Sequence, residues 1–209
     1  MKSIRSLIMK SMKGPDECIL FTLLVLTFLV PVRSQGQKTS DTDSAKIQGK
    51  MNQNGQSDFD AHFGSWETRL RRLKNPLSGS TTWIEYKGTT IVKSIFNGRA
   101  NVVELDVKGE EGSIEGVSLR LYNPETKKWS LNFASMRDGT LTVPAIGAFQ
   151  NGVGEFFNED TFNGKKILVR FVIIKTSKDS LHFEQAFSDD NGKSWETNWI
   201  ADDTRINIK

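Results

Sequence analysis

Turn signals recur from Asn97 onward at the spacing of short strands, and no other feature narrows the fold of this chain as much. They stand at Asn97-Gly98, Gly109 to Gly112, Asn123 to Lys128, Asp138-Gly139, Asn151-Gly152, Asn163-Gly164 and Asn191-Gly192. Asn-Gly and Asp-Gly pairs supply the positive φ values that a two-residue hairpin demands, since glycine has no Cβ and asparagine tolerates the left-handed region. Between the turns the chain alternates: Val117, Leu119, Leu121; Trp129, Leu131, Phe133; Phe183, Gln185, Phe187; Trp195, Thr197, Trp199. A period of two, rich in aromatic and β-branched residues, is the mark of a strand with one apolar face. The pattern predicts an all-β fold of about eight to ten antiparallel strands, with no amphipathic helix beyond a turn around Asp58 to Phe63. Many short strands at regular spacing leave a sandwich and a barrel as the two architectures.

The N-terminal quarter reads differently. A basic opening leads into the apolar run Cys18 to Val32 and then "RSQGQ", with Val32 and Ser34 as small residues before a cleavage site, which is the layout of a secretory signal over residues 1–34. The run of 15 residues is short of the roughly 20 that span a bilayer, so a cleaved signal is expected, with a retained anchor as the alternative. Residues 35–57 hold almost no large apolar side chains and read as a disordered linker. The domain is expected over residues 58–209, and 37% hydrophobic content over the 209-residue chain is enough for one core.

Charge and cysteine content exclude several functions. The net charge of +3 belongs to the signal segment, where five basic residues face two acidic ones, leaving 23 basic and 23 acidic residues in the remainder. A balanced surface has no electrostatic footprint for a polyanion, so no nucleic acid is expected as a partner. Once the signal is removed, no membrane association is expected. The single cysteine, Cys18, lies in the signal. The mature chain therefore has no disulfide, thiolate metal site or cysteine nucleophile.

Two motifs bracket the predicted domain. Ser188, Asp190, Gly192, Ser194 and Trp195 spell the S-x-D-x-G-x-S-W spacing of an Asp-box, found in sialidase propellers. One box and about 150 ordered residues are too few for such a propeller at roughly 40 to 45 residues per blade. The motif is therefore read as a structural hairpin in which Asp190 accepts backbone N–H bonds and Trp195 returns to the core. At the other end Gly64-x-Trp66 opens the first strand. With "GRANVVELDV", "SLRLYNPETKKWSLNFAS", "GVGEFF", "ILVRFVII" and "FEQAFSDDNGKSWETNW", the chain resembles a family of uncharacterised bacterial lipocalin-like proteins over Phe59 to about Ile200. The resemblance implies a calycin-like, antiparallel up-and-down barrel, and no established reaction. Closure of such a barrel requires its first and last strands to pair.

Candidate site residues follow from polar groups set within apolar stripes. Arg170 lies between Leu168 and Val172, and Gln185 between Phe183 and Phe187; Arg120, between Ser118 and Tyr122, is a weaker case. A guanidinium on an inward face needs a partner or a ligand. With Ile167, Val169, Phe171 and Ile173 on the alternate face, both faces of the Arg170 strand are apolar, and the inward orientation of Arg170 is the one preferred. Trp66, Trp83, Phe133, Trp195 and Trp199 are core aromatics that line a cavity if the barrel is unfilled. His62 and His182 read as solvent-facing rather than as metal or haem ligands. No catalytic motif is present, and no metal or cofactor is expected. Glu104, Glu155 and Glu184 are carboxylates whose separation the sequence does not fix.

The sequence thus points to an exported, periplasmic or secreted barrel that binds a small, mostly apolar or amphipathic molecule. The alternatives are an enzyme acting on a carbohydrate or lipid in the same cavity, and a filled barrel serving as an interaction module.

Overall fold

The structure, a computed structural model, describes residues 55–206. The expected signal, residues 1–34, and residues 35–54 of the expected linker lie outside the described residues. Ten strands follow one short 3-10 turn at Asp60–His62: β1 (Gly64–Leu73), β2 (Trp83–Ile95), β3 (Ala100–Gly109), β4 (Gly112–Asn123), β5 (Lys128–Ser135), β6 (Ala145–Gln150), β7 (Val153–Phe162), β8 (Lys165–Ser177), β9 (Ser180–Ser188) and β10 (Glu196–Arg205). Each pairs antiparallel with its sequence neighbours. The ladder closes where β1 meets β10, from Trp66 opposite Arg205 to Arg72 opposite Trp199. The architecture is an up-and-down barrel, as expected, without a free sheet edge.

Turn chemistry does what its residues dictate. Asn151 and Gly152 take φ values of 53° and 82° between β6 and β7, and Asn163 and Gly164 take 51° and 78° between β7 and β8. Both central residues of each loop are left-handed, the conformation whose twist matches that of the flanking strands. The Asp-box joins β9 to β10. Asp190 Oδ1 accepts from Ser188 Oγ at 2.8 Å and from the backbone N–H groups of Lys193 and Ser194 at 3.0 Å, while Ser194 Oγ donates to Oδ2 at 2.7 Å. The bonds from Ser194 and Ser188 hold the Asp190 carboxyl far below the usual carboxylate range.

One end of the barrel is plugged by the segment before β1. Phe59 packs against Trp129, Phe149 and Phe156 with ring centroids 4.9, 5.1 and 6.1 Å away. Beside it Trp66 joins Val92, Val103 and Leu181, and its Nε1 donates to the His62 carbonyl at 2.9 Å. The Gly64-x-Trp66 motif has a physical reason here. Arg205 lies over the Trp66 ring at 4.1 Å and donates from Nη1 to the Phe63 carbonyl and from Nη2 to the Ala61 carbonyl, at 2.9 and 2.8 Å. A Cβ on Gly64 would stand 2.8 Å from that Nη1, and Gly64 has φ of 125°. Only glycine leaves room for the clamp. Packing also reaches upstream to Gly55, whose carbonyl accepts from Trp129 Nε1 at 2.9 Å.

Two expectations are corrected at this level. His62 is 3% exposed rather than solvent-facing, because the 3-10 turn folds it inward against Phe59 and Phe149. Burial, and then the positive charges of Arg120, Lys175 and Arg205, push its pKa down to about 3, so it is neutral. Trp195 does not return to the core. It lies immediately before β10 on the outer surface, against Phe157 at 6.1 Å and beneath Arg170 at 4.8 Å. The cause is a bulge: Thr197 sits opposite Ala186 and Trp199 opposite Gln185, so Asn198 is one extra residue. Trp195 and Thr197 thus face out while Trp199 faces in.

Candidate binding site inside the barrel

Above the plug the barrel is not filled. A cavity of about 240 Å³ is walled by Leu131, Phe133, Val169, Phe171, Phe183, Phe187 and Trp199, among others. Each is the inward member of an alternating pair, so the strand period that builds the sheet also builds this apolar wall. The mouth lies beside residues 136–144, between β5 and β6. Those strands pair over only three positions, and the loop covers the rest of the gap through the Ala134–Leu141 bridge and a bond from Thr142 N to the Phe133 carbonyl. Thr142, Val143, Asn158 and Asp160 line the entrance.

Beyond the entrance, polar groups face the cavity from five strands, β1, β2, β4, β9 and β10. Arg120, on β4, is 9% exposed, with its guanidinium carbon 4.5 Å from the centroid of the Phe59 ring. Its Nε and Nη1 have no hydrogen-bond partner among the described residues. Opposite it in register, Asn101 on β3 is fully buried with both side-chain amide atoms unpartnered. Burial lowers the Arg120 pKa to about 10, against the opposing pull of Asp203. Asp203, on β10, accepts a bond at Oδ1 from Thr68 Oγ1 at 2.6 Å. Thr68 and Thr90 hydroxyls are 2.6 Å apart. Since the one Thr68 proton is given to Asp203, Thr90 is the donor of that pair. Burial pushes the Asp203 pKa up to about 6 in spite of the Thr68 bond and the Arg120 charge. Gln185 Nε2 donates to Oδ1 of Asn198, the bulge residue, at 2.8 Å, leaving Asn198 Nδ2 without a partner.

The structure sorts the residues singled out in sequence. Arg120, Gln185, Phe133 and Trp199 line the cavity together. Arg170 does not: Ile167, Val169, Phe171 and Ile173 are the inward face of β8, and Arg170 stands outside over the Trp195 ring. The preferred inward orientation was wrong because its outer neighbours Leu168, Val172 and Ile174 are half-buried among neighbouring outer side chains, which makes that face look like a core face. Trp66 is sealed in the plug below the cavity. Trp83 lies on the outer face of β2, 5.9 Å from the Arg71 guanidinium. His182 is on the outer face of β9, bonded to Asp202 at 2.7 Å and Glu184 at 3.0 Å. Its partial burial opposes charging, but these two carboxylates prevail and raise its pKa.

Asp203, Thr68 and Asn101 were missed. Asp203 follows Asp202 in "ADDTR", and nothing in that string marks one aspartate as inward. Thr68 had a readable signal, since it sits between Trp66 and Leu70 on the face opposite Glu67, Arg69 and Arg71. Glu104 and Glu155 are exposed on outer faces, and Glu184 turns outward to His182, so none of the three carboxylates enters the cavity. Among the described residues no group of three or more His, Cys, Asp or Glu is placed to hold a metal ion.

No family model and no curated protein matches the sequence. Solved structures similar to it include Rv2717c from M. tuberculosis, with 14% identity over 72% of this chain and 98% of that one and a TM-score of 0.48. A de novo designed fluorescence-activating β-barrel has 14% identity over 69% and 93% of the two chains, with a TM-score of 0.37. A redesigned barrel, mFAP0, solved with DFHBI bound, has 10% identity over 69% and 99%, with a TM-score of 0.39.

Proposed function

We propose that this chain is an exported protein that takes one small, mostly apolar molecule into its barrel, with the polar end of that molecule at the floor. The observation that carries the reading is the unfilled cavity of about 240 Å³, walled by aromatic rings and floored by a buried guanidinium with two unpartnered nitrogens. An apolar pocket with a few convergent polar groups is the usual form of a small-molecule site. A barrel of this kind with a binding-free interior would be expected to close over its own side chains, and the unsatisfied Arg120 and Asn101 would be a cost without return. Export rests on the segment 1–34, and the lipocalin-like resemblance fits a carrier.

Native mass spectrometry of the purified protein tests the binding reading. A co-purifying small organic mass, absent from an Arg120→Met variant that remains folded, supports it; a homogeneous apo mass that accepts no added apolar compound overturns it. Export is tested separately by the N-terminal sequence of the protein recovered outside the cytoplasm. A start near Gln35 supports a cleaved signal. Intact Met1 on a soluble cytosolic product contradicts export.

A further inference from the structure

Two ionisable groups face the cavity floor, and they have opposite signs. Arg120 projects from β4 and Asp203 from β10, each largely removed from water. The other charges near the floor are committed or solvated, Lys175 being exposed at the end of β8. Arg205 is spent on the carbonyls of Ala61 and Phe63 and lies 3.5 Å from Asp179; His62 is neutral; Asp202, adjacent to Asp203, turns outward to His182. The two floor charges therefore sum to zero before any ligand enters, with Asp160 exposed at the entrance. Asp203 Oδ1 accepts from Thr68 Oγ1, and Oδ2 is the second acceptor atom of the carboxylate. The floor thus offers N–H donors on one side and a carboxylate acceptor on the other.

Resting on the cavity reading above, we propose that the ligand's head group is uncharged and carries a hydrogen-bond acceptor beside a donor, as a primary carboxamide, lactam or urea does, on an aromatic body. Its carbonyl accepts from Arg120 and its N–H donates to Asp203 Oδ2. No net charge is buried. A carboxylate head would satisfy Arg120 equally well but would bring a second negative charge beside Asp203 in a site with little water to screen it. The body is matched by the planar walls of Phe133, Phe171, Phe187 and Trp199, which favour a flat ring over a flexible chain.

The test compares three probes of one shape against the full chain by equilibrium dialysis: 2-naphthamide, 2-naphthoate and 2-methylnaphthalene. At pH 8, where Asp203 is ionised, 2-naphthamide is expected to bind at least tenfold more tightly than either of the others. At pH 5 Asp203 is protonated, so the naphthoate disadvantage should shrink at least fivefold, in part because naphthamide loses the ionised acceptor for its N–H. Asp203→Asn should show the smaller disadvantage already at pH 8, and the pH comparison on the parent protein decides the matter should that variant fail to fold. Equal or tighter binding of naphthoate at pH 8 overturns the uncharged head and leaves the cavity reading standing. Methylnaphthalene binding as tightly as naphthamide overturns head recognition altogether. No binding of any probe by folded protein overturns both this proposal and the carrier reading.

Discussion

Acid should weaken the barrel through its plug, and His62 is the group responsible. In the folded protein His62 is neutral down to about pH 3, while in the unfolded chain it titrates near its ordinary value of 6.5. A base whose folded pKa is depressed loses stability as pH falls through the unfolded pKa, because the unfolded state then binds the extra proton. At pH 5 the separation in play is the interval from 6.5 down to 5, about one and a half pKa units, worth about 2 kcal/mol. Asp203 works in the opposite direction. Its folded pKa of about 6 lies above the ordinary value of 3.8, so its native proton is favoured on acidification and returns about 1 kcal/mol between pH 7 and 5. A single stability curve would mix the two, so the informative quantity is the difference between the parent and His62→Gln. At pH 7.5 the variant should be less stable by about 1 kcal/mol, from the lost ring contacts with Phe59 and Phe149. At pH 5 the parent should have lost about 2 kcal/mol through protonation of unfolded His62, a loss the variant does not undergo, so the order of stabilities should reverse. Urea unfolding at both pH values, followed by far-UV circular dichroism, measures this. Parallel pH curves for the two proteins would refute a buried neutral His62.

Three further outcomes check other parts of the molecule. Gly64→Ala should lower stability by about 2 kcal/mol or more in thermal unfolding, since it combines a left-handed φ with the displacement of Arg205 from its carbonyls; a neutral effect would mean that the clamp on the first strand is dispensable. Gly116→Ala places a Cβ 2.5 Å from the Phe133 ring, which must turn into the cavity, so 2-naphthamide affinity should fall by about 1 kcal/mol with the fold retained; unchanged affinity would place the probe elsewhere. Arg170→Met should leave probe affinity unchanged while lowering thermal stability through the lost stacking on Trp195, and a loss of affinity would put Arg170 back at the ligand.

The fold was legible because hairpin turns have strict backbone demands that few residues meet. Asn151-Gly152 and Asn163-Gly164 announce their φ values in the sequence, and the strands between such turns have nowhere to go but the next rung. Strand faces were legible only where the two sides differ in polarity. On β9, Phe183, Gln185 and Phe187 alternate with His182, Glu184 and Ala186, and the charged His182 and Glu184 mark the outer face while the first set lines the cavity. On β8 both faces are apolar, because the outer one is partly covered by its neighbours, and Arg170 was placed on the wrong side of the wall. The bulge at Asn198 was invisible for a different reason. One inserted residue reverses the parity of everything before it, and no residue type in Thr197-Asn198-Trp199 signals where the ladder will slip. The floor itself joins Thr68, Arg120 and Asp203, residues up to 135 positions apart. Only barrel closure brings β1 and β10 together, so the presence of a carboxylate and a guanidinium on one floor is a property of the topology and not of any local string.

The most direct measurement is a crystal structure of the protein with 2-naphthamide. The ring should lie between Phe133, Phe187 and Trp199, with the carbonyl oxygen within hydrogen-bond distance of Arg120 and the amide nitrogen within reach of Asp203. A barrel whose interior is closed by its own side chains, or a probe found only on the outer surface, would contradict a ligand-binding cavity.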